Sequence, residues 1–126
     1  MTEKDLGKTS TGLQANVEAL LSYAFGWVTG LVFFLIETEN KFVRFHALQS
    51  LITFGILTAA YIILGVFSGI FAFIGFYFIL PVISIIYSLL AIGGVVVWII
   101  LMVKAYQGEY FKLPVIGDIT DKNIAK

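Results

Sequence analysis

From Ala47 to Val103 the chain runs for 57 residues without an Asp, Glu, Lys or Arg, and its single histidine, His46, stands immediately before that run. A soluble domain has to cover most of its surface with side chains that water tolerates, and a charge-free, largely apolar block spanning nearly half of 126 residues cannot supply them. The whole-chain figures agree. Hydrophobic residues make up 60 % and charged ones 13 %, against roughly 45–50 % and ~25 % in soluble domains. These proportions exclude a soluble enzyme, a nucleic-acid binder and a disordered tail, and they predict an all-α integral membrane protein.

Residues 1–18 form a polar tail carrying Glu3, Lys4, Asp5, Lys8 and Glu18. Three acids against two lysines do not make a secretory n-region. The apolar stretch behind the tail, residues 19–36, is just long enough for one span of ~30 Å at 1.5 Å per residue. In the 57-residue block, two spans of ~20 residues leave room for a connection, whereas three leave none. Ser68, Gly69, Gly75 and Pro81 punctuate the middle. The spacing therefore predicts three transmembrane helices, near 19–36, 42–67 and 81–107, within a membrane domain 19–107. An apolar connection, interfacial or re-entrant, joins helices 2 and 3, and residues 108–126 form an interfacial C-terminal tail. Three spans place Lys41, Arg44, Lys104, Lys112, Lys122 and Lys126 on one side and Lys4 and Lys8 on the other. The positive-inside rule then puts the N-terminus outside and the C-terminus in the cytoplasm. Four spans would put both termini inside; the length arithmetic favours three.

Three motifs stand out. Ser22, Gly26 and Gly30 recur every four residues, and Ser84, Ser88 and Ala91 form a second small-residue ridge. Such faces let helix backbones approach closely in lipid, as an intramolecular seam or between two copies. At the start of helix 2, His46, Gln49 and Ser50 share one face with Thr53, while Arg44 points away. A polar cluster at a membrane rim can bind a headgroup or a partner, or can satisfy its hydrogen bonds within the chain. The third motif follows helix 3: Lys104 is placed to snorkel, Tyr106, Tyr110 and Phe111 suit the headgroup layer, Gly108 is a helix stop, and Glu109 is placed to pair with Arg44. Arg44, His46, Gln49, Lys104, Tyr106, Glu109, Tyr110 and Phe111 form the candidate partner or lipid surface.

The residue set argues against catalysis and against cofactors or metals. With no cysteine and one histidine, neither a zinc site nor a thiol centre can be assembled from the usual ligands. The carboxylates lie in tails and loops, away from any Ser–His pair, and no span carries the midplane charge that ion coupling needs.

Two runs, FGWVTGLVFFLIETENKFVRFHALQS (Phe25–Ser50) and WIILMVKAYQGEYFKLPVIGD (Trp98–Asp118), resemble a family of small uncharacterised prokaryotic membrane proteins. That family is similar, more distantly, to the twenty-kilodalton subunit of the chloroplast Tic translocon. The resemblance implies a multi-helix membrane protein without catalytic activity. The chloroplast relative has four helices, and this chain offers one before the Phe-Val-Arg-Phe-His segment. The expected function is a helix-packing or interaction component with membrane lipids and either itself or another membrane protein as partners, oligomeric or part of a larger assembly. The alternative is a small oligomeric pore or carrier for an uncharged or peptide-like substrate.

Overall fold

The computed structural model describes residues 6–124; Glu3, Lys4, Asp5 and Lys126, counted above among the tail charges, lie outside the described residues. The elements in order are α1 (Ala15–Ala24), α2 (Trp27–Ile36), α3 (Lys41–Phe73), a 3-10 turn (Tyr77–Ile79), α4 (Leu80–Tyr106) and α5 (Ile116–Ile124), with no strand among the described residues. Two stretches are long and apolar enough to cross a membrane, Lys41–Phe73 and Tyr77–Tyr106, and α2 is a shorter apolar helix.

The expected first span is not one helix. At Gly26 the backbone turns through a positive φ of 63°, a region that glycine enters without penalty, and the chain folds back as a short helical hairpin. On its way in, α1 runs along α4: the Asn16 amide donates to the Tyr106 carbonyl at 3.0 Å, and the Trp98 indole donates to the Tyr23 carbonyl at 2.7 Å. On its way out, α2 runs antiparallel to α3. A Cβ on Gly26 would meet Phe54, one on Gly30 would meet Ala47 and Leu51, and the Arg44 guanidinium reaches the Phe34 carbonyl at 2.8 Å. Ser10 then closes on the Glu37 carboxylate through its N–H at 2.8 Å and its hydroxyl at 2.9 Å. The residues before α1, the α2–α3 loop and the segment after α4 thus share one end of the molecule. The three-span expectation separates the residues before α1 from the segment after α4; the reversal at Gly26 brings residues 6–14 and that segment to the same end.

The expected connection over residues 68–80 is also replaced. Helix α3 continues through Ser68 and Gly69 to Phe73, and the turn is tight: Phe76 N–H reaches the Phe71 carbonyl at 2.8 Å, Gly75 N–H reaches Ala72 at 3.1 Å, and Gly75 takes φ 80°. This is the Schellman geometry that satisfies the last carbonyls of a helix. Ser68 does not break the helix because its hydroxyl bonds back to Leu64 at 2.8 Å. The chain reverses on itself at α1–α2, and the link between the long helices is a tight turn.

Helix α4 begins at Leu80 with Pro81 in its first turn, where the missing N–H costs nothing. It ends in a second Schellman turn, Glu109 N–H to Lys104 at 3.0 Å and Gly108 N–H to Ala105 at 3.1 Å, with Gly108 at φ 77°. Residues 107–115 then cross the start of α3 as a strap, and α5 packs beside it with Thr120 buried.

Candidate functional site

Nearly all of the buried side chains cluster in the end of the molecule that carries Leu6 and α5, here called the head. Phe42, Val43 and Phe54 of α3 pack with Ala15, Ala19 and Tyr23 of α1 and with Leu101 and Ala105 of α4, and Phe45, Ala47 and Leu48 of α3 are buried as well. Asn16, Glu18, Ser22, Glu37, Asn40, His46, Gln49, Ser50 and Thr120 are buried among them. Burying so many polar groups is tolerable only if they are partnered, and two networks partner most of them.

The first network holds the strap. The His46 Nε2 atom lies 2.8 Å from the Glu109 carbonyl, which can only accept, so Nε2 carries the proton. In the neutral ring Nδ1 then accepts from the Tyr23 hydroxyl at 2.7 Å. The same hydroxyl accepts from the Gln49 amide at 3.0 Å. Gln49 also donates to the Phe111 carbonyl at 2.9 Å and accepts from Leu113 N–H at 3.0 Å. One histidine, one glutamine and one tyrosine thus pin three successive alternate residues of the strap. Phe42, Phe45 and Tyr23 pack edge-on around the imidazole, at centroid distances of 4.7, 5.2 and 5.4 Å.

The second network ties the start of the chain to the α2–α3 loop. The Glu37 carboxylate accepts from the N–H groups of Ser10, Glu39 and Asn40 and from the Ser10 hydroxyl, at 2.8 to 3.0 Å. Asn40 caps α3 by accepting from Val43 N–H at 3.0 Å and donates to the carbonyls of Leu6 and Lys8. Glu18 accepts from the Thr11 hydroxyl through Oε1, while its Oε2 atom is buried without a hydrogen-bond partner among the described residues. Burial, then the Glu37 carboxyl, push Glu18 up to about 7. Burial also pulls Glu37 upward, but the neighbouring Glu18 carboxyl and the hydrogen bonds from Asn40 and Ser10 outweigh this and hold it down at about 2.

The tip of the short hairpin is satisfied by a third set of contacts. Thr29 takes the Phe25 N–H at 3.0 Å and donates to Ser22 at 3.1 Å, and Ser50 donates to the Gly26 carbonyl at 2.8 Å. With Trp98 on Tyr23, side chains from α2, α3 and α4 serve the backbone where α1 ends, which is the condition for a helix break at membrane depth.

The candidate residues separate accordingly. His46 and Gln49 are buried and internal; Lys104, Tyr106, Glu109, Tyr110 and Phe111 form a partly exposed rim, with Tyr106 and Tyr110 about half exposed. The expected Arg44–Glu109 pair is absent: Arg44 donates to the carbonyls of Phe34 and Glu37 at 2.8 and 2.7 Å and lies 4.2 Å over the Phe34 ring, while Glu109 pairs with Lys104 at 3.3 Å. Ser22, Gly26 and Gly30 do form a packing face, and it is intramolecular. A Cβ on Gly30 would stand 2.8 Å from the backbone of Ala47 and Leu51. Ser84, Ser88 and Ala91 are exposed, so that ridge packs on no other described residue's core. Sequence reasoning missed Tyr23, Glu18, Glu37 and Asn40. For the acids the only signal was their bracketing of the first apolar stretch.

A UPF0132 membrane protein of Methanocaldococcus jannaschii is 46 % identical over 117 residues, covering 93 % of this chain and 94 % of its own length. A second from the same organism is 40 % identical over 112 residues, covering 88 % and 71 %, and one of Archaeoglobus fulgidus is 37 % identical over 112 residues, covering 89 % and 97 %. These names confirm a membrane protein. No solved structure matches. Nothing here links the chain to the Tic subunit, and that half of the resemblance is withdrawn. A family model matches residues 9–120, from the N-terminal clasp to α5. The chain belongs to the MamF/MmsF family, described as the magnetosome magnetite crystal formation protein family.

Proposed function

We propose that this protein is a non-catalytic membrane component whose working part is the surface rim of its head, and that its partner is another membrane protein or a second copy of itself. The observation that supports this reading is the fate of the polar side chains. His46, Gln49, Tyr23, Glu37 and Asn40 are engaged in holding the chain to itself. What they position on the outside is Lys104, Tyr106, Tyr110 and Phe111, a basic and aromatic edge at the membrane surface. Aromatic residues on a pinned backbone are good anchors because little side-chain freedom is lost on binding.

The charge layout orients this rim. Lys8, Lys41, Arg44, Lys104, Lys112 and Lys122 all belong to the head end, and the long hairpin carries no charge. The positive-inside rule makes that end cytoplasmic, with the residues before α1 and α5 in the cytoplasm. The family description speaks of magnetite crystal formation; for this chain the proposal extends only to the membrane scaffold, and among the described residues no three His, Cys, Asp or Glu side chains converge as a metal-holding group.

A photo-reactive amino acid placed at 106 or 110, with 77 as the control at the far end, tests the reading in native membranes. Protein adducts at 106 and 110 but not at 77 are expected. Adducts to lipid alone at all three positions would overturn it. Saturable solute flux through reconstituted vesicles would instead support the pore or carrier reading.

A further inference from the structure

We propose that the chain is a one-leaflet wedge, which concentrates on, and favours, membrane that is convex on the side of its head. The partner is a curved lipid surface, and the inference rests on the re-entrant fold, independently of the protein partner proposed above.

The cross-section changes along the membrane normal. Arg44 and Lys104 mark the near headgroup layer, and the charge-free aromatic turn Phe73–Phe78 marks the far one, with Phe73, Tyr77 and Phe78 exposed. Arg44 to Phe73 is about 44 Å of helix, close to the ~40–45 Å of a bilayer including its headgroups. The tip of the short hairpin lies beside Phe54, about 15 Å below Arg44, which is in the near half of that span. Four helices therefore occupy the near leaflet and two the far one. At a diameter of ~10 Å each, this roughly doubles the protein area in one leaflet.

The short hairpin belongs in acyl chains rather than in water. Phe25 at its tip is 77 % exposed and Leu35 66 %, and Val28, Val32 and Ile36 of α2 are open along the same helix. Its backbone at the break is served internally by Thr29, Ser50 and Trp98, which is what a helix break in acyl chains requires. It is also fixed in place. The backbone approach at Gly30 and the Arg44 contacts to Phe34 and Glu37 clamp α2 to α3, so the wide section cannot collapse to relieve lipid stress. Lipids of a leaflet bent outward are spread apart, and a rigid insertion confined to that leaflet fills the space; interfacial helices are curvature-sensitive for the same reason.

The test uses the full chain, labelled at Asn123→Cys with a fluorophore, in giant vesicles of phosphatidylcholine with a minor fraction of phosphatidylglycerol. Narrow tubes are drawn from the vesicles, and an impermeant quencher distinguishes heads facing out from heads facing in. Heads-out molecules are expected to be enriched about two- to threefold on the tube relative to the flat membrane, and heads-in molecules depleted. Equal density of both orientations, or enrichment of heads-in molecules, would overturn the wedge. Depth is measured separately with a spin label at Phe25→Cys, in a chain with no other cysteine. A label reading within the acyl chains of the near leaflet is expected; one at headgroup depth would overturn the proposal even if some sorting were seen.

Discussion

The head and the long hairpin are built from the same two helices and obey different rules. Between Lys41 and Phe54, α3 buries nine residues, three of them polar; from residue 55 to residue 100, across the rest of α3 and most of α4, Ile83 is the one buried side chain. In the head, polar groups find partners in distant segments, as Gln49 does 62 and 64 residues away. In the hairpin they mostly turn back on their own helix: Thr58 bonds to Phe54 and Ser88 to Ser84, each four residues back. One cross-helix tie, Tyr87 hydroxyl to the Tyr61 carbonyl at 3.1 Å with the two rings stacked, joins the long helices there. Lipid tails supply no hydrophobic drive between helices, so the hairpin needs only helix formation. The head requires specific packing.

The contrast is open to attack, and the sharpest test is topological. Single cysteines at Leu13, Asn123 and Tyr77, treated with an impermeant reagent in intact cells and then in lysed ones, are expected to fall into two classes. Leu13 and Asn123 react together and Tyr77 reacts on the opposite side. A split between Leu13 and Asn123 would restore a full first span and dissolve the head as described.

Packing gives the next largest effect. Gly30→Leu has to displace the α3 backbone, which sits 2.8 Å from the would-be Cβ, and is expected to cost about 3 kcal/mol, the upper end of ordinary overpacking. Thermal unfolding in nanodiscs reads the loss. Gln49→Leu leaves the Phe111 carbonyl and Leu113 N–H unpaired in the head and is expected to cost about 1–3 kcal/mol. Hydrogen exchange should rise in the strap, 107–115, and stay unchanged in the hairpin.

Protonation gives a smaller effect with a definite sign. Glu18 has a folded value raised above its usual 4.5 to about 7. Its contribution is therefore whole below pH 4.5 and declines as pH rises through 7. From pH 6 to pH 8 the protein should lose on the order of 1 kcal/mol. Glu18→Gln, a permanent mimic of the protonated acid, should abolish that slope. Glu37 acts in the opposite sense, its contribution being lost as pH falls from 4.5 toward 2. The smallest change is expected in the hairpin: Gly69→Ala, where no atom lies within 4 Å of the added Cβ, should shift stability by no more than the ~0.5–1 kcal/mol of helix propensity. A cost there as large as that at Gly30 would mean the hairpin is packed against something unseen.

Much of this division was legible in the residues, and the failures are instructive. Helix 3 was placed within one residue at each end because Pro81 and Gly108 impose covalent limits that no environment removes. Helix 2 was stopped six residues early at Ser68 and Gly69, since both read as a turn in water; inside lipid the serine bonds to its own helix and the glycine costs little. The polar face of His46, Gln49 and Ser50 was visible from its angular spacing. Its partners were not, because they are backbone groups of a strap more than 60 residues away, which leave no trace in side-chain chemistry. Gly26 was singled out for its size, whereas its positive φ was what mattered. A glycine between two large aromatics, Phe25 and Trp27, with Thr29 just beyond to serve the exposed amides, is a signal that could have been read as a reversal.

The strap sets an order in time. Tyr23, His46 and Gln49 are synthesised well before the residues at 109–113 that complete their hydrogen bonds, and until those emerge the half-built head holds polar groups with no acceptor or donor. The long hairpin waits for nothing, since its two helices need only lipid. Biogenesis should therefore run from the middle of the chain outward: α3 and α4 insert as a pair, and the strap, synthesised after them, then locks α1 into place. A chain truncated before residue 109 would reach the membrane and still fail to close, and quality-control proteases would see an open head on an already inserted hairpin.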